Sequence, residues 1–189
     1  MKGVYLGLGL VILLGAGLAV AEIFGVGALR AAAQRFGEQA LRGARLTDVE
    51  LHGFPRILQE VAHESEQIDF LGETVDNTAD IHAIASTVDL RGQHARKLSY
   101  VITVRNFAAG AQPTASTNSP AFALGNRHYR AMVARDGAAV QVRAHPEDQT
   151  LSDIGPLTVR LPFLPPEARI GAPSVVPAGI RFEATVDAR

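Results

Sequence analysis

From Val4 to Ala21 the chain runs for 18 residues without a charge. At ~1.5 Å rise per residue such a helix is about 27 Å long, close to the hydrocarbon thickness of a bilayer. Residues 1–25 therefore read as a signal peptide or a membrane anchor. In the first reading Lys2 is the basic n-region and Ala19-Val20-Ala21 the small-residue cleavage site. In the second the apolar helix is retained and continues into the helix that follows. Gly3, Gly7, Gly17, Ala21 and Gly25 would let another helix approach closely, but a Gly/Ala-rich span with no partner is the better reading. Both readings place residues 26–189 at or beyond a membrane, as one domain.

Val26 to Arg42 predicts an amphipathic helix. Leu29, Ala33, Phe36 and Ala40 recur at helical spacing, with Leu41 beside them, while Arg30, Gln34, Arg35, Glu38 and Arg42 face the other way. Gly43 is the expected stop. The period then changes from 3.6 to 2. Val49 and Leu51 alternate with polar neighbours, as do Ile68 and Phe70, and Leu98, Tyr100, Ile102 and Val104. Ile81, Ala83 and Ala85 lead into Val88 and Leu90 with a phase shift, which predicts a bulge.

Asp136-Gly137 is the clearest hairpin signal. A two-residue loop there would set Val133 against Val140, Ala131 against Val142 and Tyr129 against Ala144. Ile180, Phe182, Ala184 and Val186 alternate without error in a last strand with one dry face and one wet face. Ala108 to Ala121 is small, polar and proline-containing and reads as a mobile loop. The expected class is α+β: an N-terminal membrane or signal helix continuing into an amphipathic helix, then an elongated, curved antiparallel sheet forming a cradle.

Composition narrows the function. A formal net charge of −1 over 189 residues gives no field to attract nucleic acid. Without cysteine there is neither a disulfide nor a thiolate metal site. There is no Gly-x-Ser-x-Gly elbow, no His-Glu-x-x-His and no phosphate-binding Gly-x4-Gly-Lys. The six histidines (52, 63, 82, 94, 128 and 145) are scattered, and none pairs with another at i, i+4 on a helix. Asp76, Asp80 and the Glu147-Asp148-Asp153 group lack calcium-loop spacing and read as surface loop. The chain reads as non-enzymatic, with no metal and no cofactor.

Gly53-Phe54-Pro55-Arg56-Ile57-Leu58-Gln59-Glu60-Val61 is more distinctive. A strand ends at a glycine, and a short helix follows with Phe54, Ile57, Leu58 and Val61 on one side. Either this is a strand-to-helix corner packed by Phe54, or the helix caps an apolar cavity. The pattern Val49-Glu50-Leu51-x-Gly53-Phe54-Pro55-x-Ile57-Leu58, running into a strand around Ile68, resembles the signature of the LmeA-type bacterial phospholipid-binding proteins. The C-terminal part is similar too: Leu161-Pro162-Phe163-Leu164-Pro165-Pro166 leads to Arg169-Ile170, and Pro177-x-Gly179-Ile180 opens the last strand. The resemblance covers both ends of the region after the leader. It departs at Arg56, where the family often carries an apolar residue, and at His63-Glu64-Ser65, where it often carries a glycine. Between Ala108 and Arg127 no motif aligns.

The resemblance implies an exported or anchored envelope protein of actinobacterial type. Its partners would be phospholipid and the membrane, with phospholipid held in a tubular-lipid-binding-like β-cradle around a helix. Candidate lining residues are Phe54, Ile57, Leu58, Phe70, Phe107 and Phe163, large apolar side chains near irregular segments where a cavity could open. The alternatives are a membrane-anchored structural or adhesive module with a filled core, and an envelope hydrolase, which would need a buried Ser or Asp beside a histidine in a cleft.

Overall fold

The structure is a computed structural model that describes residues 27, 30–52, 64–90, 93–107, 112–113 and 119–187. The leader and the Phe54-Pro55 corner, with the expectations attached to them, lie outside the described residues. Among these, the chain is antiparallel sheet with one short helix.

Residues 30–40 form the helix α1. Its inward positions are those the 3.6-residue period selects: Ala33 and Phe36 are buried, and Leu41 is buried just past its end. The outward Arg30, Gln34, Arg35 and Glu38 are exposed. Leu41 N donates to Gly37 O (2.8 Å) and Ala44 N to Leu41 O (2.8 Å), so the chain leaves the helix through Gly43 and enters β1 at once.

Twelve strands follow among the described residues. The first four are β1 (Ala44–His52), β2 (Glu64–Thr74), β3 (Ala79–Asp89) and β4 (His94–Arg105). Sheet B takes β5 (Gln112–Pro113), β6 (Ala121–Leu124), β7 (Arg127–Asp136), β8 (Ala139–Pro146) and β9 (Ile154–Arg160). The chain then returns through β10 (Arg169–Ile170), β11 (Ser174–Val176) and β12 (Gly179–Asp187). Sheet A has the order β1-β2-β3-β4-β12-β10, with β11 also on β12, and sheet B the order β5-β6-β7-β8-β9. One apolar core joins the sheets, and Val175 N of β11 donates to Ser119 O at the entry to β6 (3.1 Å).

Period-2 alternation decides which face of sheet A is dry. Val49, Phe70, Ala83, Tyr100 and Ala184 form one continuous row across five strands, and all five are buried. Ile81, Ile102 and Phe182 form the next row. α1 lies on this face. Phe36 meets Phe70 with ring centroids 5.7 Å apart. A Cβ on Gly37 would stand 2.6 Å from the Phe70 ring, so the absence of a side chain there sets how closely the helix approaches. The wet face carries ion pairs, among them Arg105 with Asp80 and, at 3.5 Å, with Glu73.

Two expected details differ. The Ala85–Val88 phase shift is present, but it is not a bulge between paired strands. Thr87 takes φ +52° and burial passes from Ala85 to Val88, yet the pairings Gln67–Ser86 and Ser65–Val88 keep one register. β4 changes phase in step, from Ala95 to Leu98, so neighbouring strands turn together and no extra residue is inserted. The register breaks fall instead between Leu46 and Asp48 and between Val142 and Ala144.

The hairpin turns one residue later than expected. Asp136 pairs with Ala139, so the loop is Gly137-Ala138, and Tyr129, Ala131 and Val133 oppose Pro146, Ala144 and Val142. Gly137 has φ +58°, the sign that the first central residue of a type II′ turn requires. Because the shift is two residues per pair, the same side chains stay on the dry face.

Candidate functional site

α1, the start of β4 and the proline-rich segment 161–168 do not close completely over sheet A. Between them lies a groove of about 310 Å³, open to solvent. Its floor is Ala95, Leu98 and Tyr100 of β4 with Val186 of β12, where Leu98 and Val186 are cross-strand partners. One wall is Phe36, Gln39 and Ala40 of α1, and the other is Phe163 and Pro165. Gln93 and His94 stand at the turn into β4.

Local chemistry fixes each wall. Tyr100 donates its hydroxyl to Ala40 O (3.2 Å), tying the last turn of α1 to the floor. Burial pushes the Tyr100 phenol up to about 12, so it stays neutral at any physiological pH and presents an uncharged ring. Phe163 lies against that ring at 5.2 Å. The segment carrying Phe163 and Pro165 is held from sheet B. Arg135 of β7 donates to Leu164 O (2.9 Å), Ala168 O (3.3 Å) and the hairpin carbonyl of Gly137 (3.1 Å). Turn bonds from Leu164 N to Leu161 O and from Ala168 N to Pro165 O, both 3.0 Å, fold the segment over the groove.

Of the six side chains expected to line a cavity, Phe163 does line the groove. Phe70 is fully buried beneath α1, and Phe107 is buried at the end of β4, its ring near Gly155 of β9. Neither borders the groove; both fill core. Phe54, Ile57 and Leu58 lie outside the described residues. Sequence reasoning missed the rest of the wall. Phe36, Ala40, Leu98, Tyr100 and Val186 carried the right periodicity but looked like ordinary core, and nothing in a linear pattern says that a covering element stops short.

A polar cluster occupies the opposite face of sheet A. His82 Nε2 lies 2.9 Å and His52 Nε2 3.6 Å from Asp69 Oδ2, and Gln67 donates to Asp69 Oδ1 (2.8 Å). The imidazoles are about half exposed, with side-chain exposures of 40% for His82 and 48% for His52. This is a part-exposed hydrogen-bonded network on an open strand face, not an enclosed cleft. Among the described residues no three His, Cys, Asp or Glu side chains converge to hold a metal ion. No helix among them is long and apolar enough to cross a membrane. No protein-family model, no curated protein and no solved structure matches the chain.

Proposed function

We propose that this is a non-enzymatic lipid-binding protein of the cell envelope, a carrier or sensor of phospholipid-type molecules placed at the membrane by the leader 1–25. The observation that carries the reading is the groove. Its deepest lining residues, Phe36, Ala95, Tyr100 and Phe163, are apolar or neutral and buried, whereas its polar lining residues, Gln39, Gln93 and His94, are exposed. An amphiphile has the same division, with a chain to bury and a head to leave in water. The uncharged run Val4 to Ala21 and the resemblance to LmeA-type proteins point the same way. In this reading sheets A and B make the curved cradle and α1 is the continuation of the membrane-proximal helix.

A fluorescent hydrophobic probe tests this. Phe163→Asp puts a carboxylate against the bound chain with no visible partner, a desolvation cost of several kcal/mol. Probe affinity should fall at least tenfold with the circular dichroism spectrum unchanged. Unchanged affinity in a folded variant contradicts the assignment.

The structural-module reading also has an observation behind it. Phe70 and Ala83 are fully buried and Phe36 packs on Phe70, so the space under α1 is packed and the groove is confined to its edge. Under that reading the probe would not bind at all.

A further inference from the structure

We infer that the groove accepts one acyl chain of about ten carbons, with a hydrogen-bonding head at the Gln39–Gln93–His94 rim, and that a two-chain lipid must leave its second chain outside. This rests on the lipid-binding reading and sharpens it.

Volume sets the capacity. The groove holds about 310 Å³. At roughly 30 Å³ for each methylene-sized group, about the share of one water in the liquid, that is some ten carbons. It is also the lower end of the ~300–1,000 Å³ range of small-molecule sites. Two chains of that length would need about twice the space.

The groove cannot deepen cheaply to provide it. Tyr100 in the floor is tied to Ala40 and faces Phe163. Beside Tyr100 in the same row, Ala83 and Phe70 are fully buried, with Phe36 packed on Phe70. Admitting a second chain means expelling Phe70 or lifting α1, and either step gives up close-packed apolar contacts.

The rim sets the head. Its described lining residues carry amides and an imidazole, with no lysine or arginine among them. Such a rim hydrogen-bonds to ester, hydroxyl or phosphodiester oxygens without requiring a particular charge.

The test uses the full-length protein in a nanodisc, with protein-free nanodiscs as the blank for partitioning. Monoacyl phosphocholines of 4 to 16 carbons displace a single-chain fluorescent acyl probe. Affinity should rise about fourfold per added methylene, the equivalent of ~0.8 kcal/mol, and level off near ten carbons. Ala95→Leu adds three carbons to the floor and should move the break to about seven. Should Ala95→Leu fail to fold, Val186→Phe narrows the groove from its half-buried side and should also shorten the break. A diacyl phosphocholine should compete no better than its single-chain counterpart of equal chain length. A rise that continues to 16 carbons, a break that neither variant moves, or tighter binding of the two-chain lipid overturns the inference while leaving lipid binding intact. If neither lipid nor probe binds, the lipid-binding reading itself fails.

Discussion

Gly179→Ala should be among the costliest small substitutions in the protein. Gly179 opens β12 at φ +145°, opposite Arg105 of β4. A Cβ built there stands 1.9 Å from Val104 O, a backbone atom that no rotamer change can move. A carbon tolerates an oxygen at about 3.3 Å, so the strands must separate by more than ~1 Å or the residue must change φ. The disfavoured backbone conformation costs ~1–2 kcal/mol for a residue with a side chain. Separation loses about two ladder hydrogen bonds at ~0.5–1.5 kcal/mol each and loosens the fully buried Ile180. The sum is roughly 2–5 kcal/mol, a large part of a typical ~5–15 kcal/mol stability. For a chain of this size that lowers Tm by about 10 °C. Gly137→Ala is the control. It has φ +58° and open space around the added carbon, so it bears only the conformational term, ~1–2 kcal/mol and a few degrees. Paired thermal melts by circular dichroism measure both. Equal losses, or a Gly179→Ala protein that melts with the wild type, would refute the steric reasoning.

Phe70→Ala should cost ~3–5 kcal/mol by chemical denaturation, because Phe70 is core and its truncation leaves a cavity beneath α1; a loss under 1 kcal/mol would mean that the space is already loose. Tyr100 should ionise well above the ordinary phenol range in an ultraviolet titration, and since its folded value (about 12) exceeds its unfolded value (10.0), the stability it contributes is fully present below pH 10 and is lost as pH rises from 10 towards 12. Tyr100→Phe should abolish that alkaline loss and cost ~1 kcal/mol at neutral pH through the bond to Ala40 O. Arg135→Lys keeps the charge but cannot reach Leu164 O, Ala168 O and Gly137 O together, so it should weaken probe binding several-fold with little change in melting temperature.

Much of the architecture could be read from periodicity, and particular residues show why. The α1 face chosen by Ala33 and Phe36, and the dry faces of β1, β2, β4 and β12, follow from side-chain periods of 3.6 and 2 alone. The hairpin is legible to within one residue because glycine is favoured at φ +58° next to a tight loop, while its register depends on which residue follows that glycine. β9 carried no readable alternation, since Gly155 and Pro156 interrupt it, and β10 and β11 have only two and three residues. The division into two sheets is a property of long-range pairing that no local pattern contains. The groove was the least legible feature. Phe163 could be singled out by its proline-rich setting, but a gap between α1 and segment 161–168 depends on where Tyr100 and Arg135 anchor them.

Lipid occupancy is the most direct measure of the central claim. Full-length protein purified from its native cells, extracted with organic solvent and analysed by mass spectrometry, should yield lipid in stoichiometric amount. Lipid should be strongly depleted from the folded Phe163→Asp variant prepared in parallel. Repeated recovery of folded wild-type protein without lipid, or equal lipid from both proteins, would contradict the account.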